Sequence, residues 1–176
     1  MDSFRANEYS RINAVKYAKT YALSPNPNFR YFPLINNNFS GDCTNFISQC
    51  LLAGGAPMIF NSANPWWYKR ANTANRKDDT WSIPWAVSHS LYWCLKINQQ
   101  AKAPGIKGLE VYDIKLLELG DLIFFEGTNG AIFHAAIVTS FRNSQPLISH
   151  HSFEALNIPY KNSWGAVRHH FLKISL

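Results

Sequence analysis

A cysteine stands directly behind Gly41-Asp42 and ahead of a run with helical character, in the stretch SGDCTNFISQC. A thiol becomes a good nucleophile only when its proton is lost. The start of a helix helps, because its partial positive charge and unpaired N–H groups stabilise a thiolate. Cys43 occupies such a place. Cys50 lies two turns further along among apolar neighbours, and Cys94 falls inside another helical run, so both read as core residues. Asp42 is expected to cap this helix. Its negative charge opposes a thiolate unless N–H groups take up the carboxylate.

A nucleophilic cysteine also needs a base. The candidates are His89, His134, His150, His151, His169 and His170. His134 interrupts an otherwise apolar strand, IFHAAIVTS, and a buried histidine there needs a partner. Ala135 and Ala136 leave room for a helix end to lie against that strand. The next strand ends in His150-His151. Alternation lets only one of the two share a face with His134 and hold its imidazole in the right tautomer. His89 reads as a helix-surface residue, and His169 and His170 as one exposed and one packed. No zinc-ligand spacing is present, and no cofactor is expected.

The elements that must position these groups form an α+β pattern. Helices are expected over 7–22, 43–53 and 83–97, the second stopped by Gly54-Gly55. From Cys43 to Tyr68 there is no charged residue, the mark of a buried helix. Residues 24–41, 64–70 and 99–109 read as loops. Strands are expected over 121–126, 131–141, 146–152 and 168–175, the first three as a meander. Asp121, at the start of the first, reads as a structural turn residue.

The 176 residues are expected to form one domain spanning 1–176, acting as a monomer. Apolar residues at 47% against 16% charged exclude a disordered chain. The net charge of +6 favours anionic partners, but the basic residues are scattered, so no specific nucleic-acid site is expected. Three cysteines without C-x-x-C spacing argue against a disulfide framework. The first residues lack the apolar core of a signal peptide, and no apolar run is long enough for a membrane span. A cytoplasmic, spore or wall-associated location is expected.

Taken together, GDCTNFISQCLLAGGAPM, LELGDLIFFEG, GAIFHAAIVTSF and PLISHHSFEALN resemble the bacterial putative amidase domain family. That family stands with the papain-like thiol hydrolases of cell walls, beside NlpC-like peptidases and CHAP amidases. The resemblance also takes in AVKYAKTYA and SHSLYWCLKIN and so covers nearly the whole chain. It implies N-terminal helices packed on a C-terminal antiparallel sheet. It makes Cys43 the nucleophile, His134 the general base and then acid, and His151 the orienting residue, with His150 as runner-up. KNSWG, 161–165, is the string that holds the third catalytic residue in papain, but it lies 28 residues after His134 and beyond the strand that His150-His151 already ends, so it reads as a decoy, with Trp164 packing over the sheet end and Asn162 kept as an alternative orienting residue. For the oxyanion, the Cys43 N–H is one expected donor. Asn37, six residues upstream where papain-like proteases place a glutamine, or Tyr31, near the NlpC-like tyrosine, is the other. The implied activity is thiol-dependent hydrolysis of an amide in peptidoglycan or a related peptide. The alternatives are a non-catalytic wall-binding module and acyl transfer by the same residues.

Overall fold

A buried helix carries Cys43 at its first position, and its polar side chains explain how it tolerates burial. We describe the chain from a computed structural model covering residues 8–35 and 41–176. This helix, α2 (Cys43–Ala53), has Cys43 through Leu51 buried. Asn45 donates to the Arg30 carbonyl at 2.8 Å and accepts from Trp85 Nε1 at 2.7 Å. Ser48 donates to the Trp85 carbonyl at 2.8 Å, and Gln49 accepts from the Tyr17 hydroxyl at 2.6 Å. A buried polar group left unpaired costs about 1–3 kcal/mol, so these partners make the uncharged helix stable inside the protein.

Ahead of α2 lies α1 (Arg11–Tyr21), whose first turn is capped by Ser10 accepting from the Asn13 N–H. Helix character was expected from residue 7, which lies outside the described residues; residues 8–10 are not helical. A small hairpin pairs β1 (Tyr68–Lys69) with β2 (Thr80–Trp81). Two helices then replace the single one expected over 83–97: α3 (Ile83–Ala86) and α4 (Ser88–Ala101). Val87 between them is extended, at φ −118° and ψ 118°. The Trp85 carbonyl is held by Ser48, and the break makes Ser88 the first residue of a new helix.

The remaining strands are β3 (Lys107–Val111), β4 (Leu122–Glu126), β5 (Ile132–Arg142), β6 (Gln145–His150), β7 (Ala155–Pro159) and β8 (Arg168–Ser175). They form one antiparallel sheet in the order β3-β8-β4-β5-β6-β7. With four helices among the described residues, the architecture is α+β. The β4-β5-β6 meander stands as expected. β3 and β7 are the two edge strands, and neither was anticipated from sequence.

The sheet buries both faces. Phe124, Ala135 and Ile137 pack with Phe46, Ile47 and Leu51 of α2 and with Leu91 and Leu95 of α4. Ile123, Phe125, Ala136, Val138 and Ile148 point the other way, where Trp164, Tyr160 and Phe171 cover them. Asp121 is fully buried and ties three elements together. Its carboxylate accepts from Arg11 at 2.5 Å, from the Ile174 N–H at 2.9 Å and from the Glu118 N–H at 2.8 Å. That is the structural role its position implied.

Candidate active site

Cys43 and His134 line one cavity of about 1380 Å³. Cys43 comes from the mouth of α2, and His134 from the start of β5. A bulge shapes that start: Phe125 pairs with His134 while Glu126 pairs with Ile132, leaving Phe133 as an extra residue. Bulges re-aim side chains, and both Phe133 and His134 line the cavity.

The sulfur meets a pair of hydroxyls. Cys43 Sγ lies 3.5 Å from Ser88 Oγ and 3.7 Å from Thr44 Oγ1, and the two hydroxyls are 2.6 Å apart. Ser88 was not anticipated, because its place depends on the unexpected break at Val87. Cys50 and Cys94 lie in the core. Burial raises the Cys50 thiol well above its ordinary range and pushes Cys94 up to about 11. Neither is suited to nucleophilic work near neutral pH.

His134 is buried, and its Nε2 has no hydrogen-bond partner among the described residues. Burial, and then the adjacent His150, lowers its pKa well below the ordinary histidine value, so the ring is neutral at neutral pH. Its ring packs edge-on against Phe125 at 5.1 Å and against His150 at 4.5 Å between centroids, with Trp164 at 5.9 Å.

His150, not His151, is the one that shares a face with His134. His150 Nδ1 donates to the His151 carbonyl at 3.1 Å, so Nε2 must accept, and Ser163 Oγ donates to it at 2.9 Å. His151 lies in the turn after β6. Its Nδ1 is 2.5 Å from Asp42 Oδ2, and its Nε2 donates to the Tyr21 carbonyl at 2.8 Å. Its ring stacks on Phe46 at 4.1 Å. Both nitrogens of His151 are thus engaged, one with Asp42 and one with the Tyr21 carbonyl.

Asp42 occupies the N-cap position of α2 without capping it through its side chain. Instead Oδ1 accepts from the Phe32 N–H at 2.9 Å and from Asn45 Nδ2 at 2.8 Å, while Oδ2 meets His151. Three partners thus take up the charge beside Cys43. Gly41 makes the approach feasible. A side chain there would come within 2.6 Å of Ser152 Oγ, which accepts from the Asp42 N–H at 2.8 Å.

The remaining candidates are dispersed. Asn162 is exposed in the turn after β7, whereas its neighbours Ser163 and Trp164 reach His150 and His134. Within KNSWG it is thus Ser163 and Trp164 that meet the two histidines. The Tyr31 hydroxyl donates to Glu154 at 2.8 Å. Asn37 lies outside the described residues. His170 bridges Glu110 at 2.6 Å and Glu126 at 2.7 Å, away from Cys43. Among the described residues, no three His, Cys, Asp or Glu side chains form a group that could hold a metal ion, and no helix is long and apolar enough to cross a membrane.

The buried histidines make stability depend on pH. In the folded chain burial lowers the pKa of both His134 and His150, while the unfolded chain binds protons there below about 6.5. Below that value the unfolded state therefore binds more protons, and stability falls as pH falls. Thermal unfolding across pH 7.5 to 5 is expected to show a declining midpoint, with a shallower decline for His134→Gln. Equal slopes for the two proteins would contradict this origin.

Residues 8–173 match the family model described as a putative amidase domain. The chain is 36% identical over 156 residues to the uncharacterized protein YhbB of Bacillus subtilis (strain 168), covering 86% of this chain and 44% of that protein. It is 34% identical over 160 residues to the uncharacterized protein YjcM of the same strain, covering 86% of this chain and 32% of that one. The chain thus spans less than half the length of either relative. No solved structure matches it.

Proposed function

The chain belongs to the putative amidase domain family, and from that premise we propose that it is a cysteine-dependent amide hydrolase in which Cys43 is the nucleophile and His134 its base. One observation carries this reading: a cysteine at a helix mouth and a buried neutral histidine line the same cavity. We read the layout as papain-like, with a cysteine-bearing helix laid against a histidine-bearing antiparallel sheet.

In this mechanism His134 Nδ1 takes the thiol proton as the sulfur attacks the carbonyl carbon. The oxyanion that forms accepts from the Cys43 N–H at the start of α2. His134 then returns the proton to the leaving amine, and an acyl thioester remains on Cys43. Water, activated by the same histidine, attacks the thioester; the acid leaves and the thiol is restored. Ser88 donates to the sulfur as negative charge develops, with Thr44 turned toward Ser88. His150 buttresses the His134 ring and is itself fixed by Ser163. His151 is assigned to holding Asp42 and hence the loop that presents Cys43.

As substrate we propose a cell-wall peptide amide, the class implied by the likeness to wall-hydrolysing thiol enzymes. The test is mass spectrometry of wall fragments after incubation with the wild type and with Cys43→Ala. A new amine terminus is expected with the wild type alone; unchanged fragments in both would refute the substrate. Adding a competing amine separates hydrolysis from acyl transfer, because transfer would yield the amide of the added amine.

Two comparisons of variants follow. Ser88→Ala is expected to lower kcat about tenfold with KM little changed, the loss of one hydrogen bond to a developing charge, and Ser88→Thr to restore most of it. A change confined to KM would remove Ser88 from the chemistry. His150→Ala is expected to lower kcat more than Asn162→Ala; steady-state kinetics giving the reverse order would return Asn162 to candidacy.

A further inference from the structure

The chain carries 17 Lys and Arg and 11 Asp and Glu, yet among the described residues no Lys, Arg, Asp or Glu lines the cavity that holds Cys43 and His134. Its walls are aromatic, aliphatic or small and neutral: Phe32, Leu34, Trp81, Phe133, Phe153 and Trp164 among the largest. Nearby charges have partners of their own. Asp42 is held by His151, Asn45 and the Phe32 N–H. Glu154 accepts from Tyr31, and Arg30 donates to the Lys77 carbonyl at 3.0 Å while lying over the Phe32 and Trp81 rings. A neighbouring cavity of about 530 Å³ shares only Ile132 with this one, and it contains Lys96, Glu110, Glu126, Arg168 and His170. Among the described residues, charged side chains thus line one of the two cavities and not the other.

A charged side chain drawn from water into a cavity without a counter-charge loses hydration and gains nothing equivalent. Apolar and ring-bearing groups gain by leaving water, and flat rings stack on aromatic walls. We infer that the residues flanking the scissile amide enter this cavity with uncharged, apolar side chains, and that segments bearing a carboxylate or ammonium next to that bond are rejected. The inference rests on the reading of this cavity as the place where the amide is cut. It narrows the substrate class to amides with neutral flanks.

The test uses the Cys43→Ala protein, in which binding is measured without turnover. Three acetylated tripeptide amides are compared by calorimetry, identical except for Leu, Glu or Lys at the central position. The Leu peptide is expected to bind at least tenfold tighter than either charged one. Adding Ala131→Lys puts a cation on the half-buried cavity wall and is expected to recover at least tenfold for the Glu peptide alone. Equal or tighter binding of a charged peptide to the Cys43→Ala protein overturns the inference. So does failure of the Leu peptide to bind, or indifference of the Glu peptide to Ala131→Lys. If the Leu peptide binds as expected but the wild type does not cleave it, the catalytic reading falls and the neutral preference of the cavity stands.

Discussion

Replacing Cys43 by Ala is expected to lower amide hydrolysis by about 10⁴-fold or more, because the covalent route disappears and a positioned water is a poor substitute. The fold is expected to survive. Cys43 sits at the edge of the core with its sulfur toward the cavity and two hydroxyls, so the truncation removes little packed volume. Cys94→Ala makes a fitting comparison. Its thiol is buried in the core and raised to about 11, so it is expected to lose stability and keep its turnover number. The two variants should thus fail in opposite ways, one in kcat and the other in denaturation midpoint. Activity that follows Cys94 rather than Cys43 would remove the assigned nucleophile.

The second large effect concerns the buried pair beside Cys43. Asp42 and His151 are each 1% exposed and 109 residues apart in sequence. The His151 Nε2–H donates to the Tyr21 carbonyl, and Nδ1 lies 2.5 Å from Asp42 Oδ2. Removing one member of such a buried pair leaves the other without its partner, at a cost of about 3–5 kcal/mol. Asp42→Ala has the further effect of releasing the Phe32 N–H and Asn45. Urea unfolding is expected to show a loss in that range for Asp42→Ala and for His151→Ala. Both variants should also lose activity, because the loop entering α2 is no longer held. If His151→Ala unfolds at the wild-type midpoint but has lost turnover, His151 acts in catalysis and not as an anchor.

How much of this was legible beforehand depended on how local each signal was. The start and end of α2 lie in a run of eleven residues bounded by Asp42 and Gly54, so adjacent chemistry defined them. The β4-β5-β6 meander was equally plain, since apolar strands alternate with short turns there. The edge strands were not. β3 begins Lys107-Gly108, and β7 is the short Ala155–Pro159 segment. Each pairs along one side only, with β8 or β6, and has little strand character by itself. The break at Val87 reflects a tertiary bond from Ser48 to the Trp85 carbonyl, which no window around Val87 contains.

The site followed the same division. Cys43 and His134, which line one cavity, each stood out as candidates by their immediate neighbours in sequence. The choice between His150 and His151 turned on where β6 ends and on the link from His151 back to Asp42, neither of which is written next to SHHS. Alternation did allow one histidine of the pair to face His134, and the structure gives that place to His150. The contribution of KNSWG was visible as a string, yet the residues that reach the histidines are Ser163 and Trp164.

The most direct measurement is rapid-quench mass spectrometry of the intact protein during turnover of a neutral peptide ester, followed by peptide mapping. A transient gain equal to the acyl group, located on Cys43, is expected. It should be absent from Cys43→Ala and form at least a hundredfold more slowly in His134→Ala. Turnover with no adduct, or an adduct on any residue other than Cys43, would contradict this expectation.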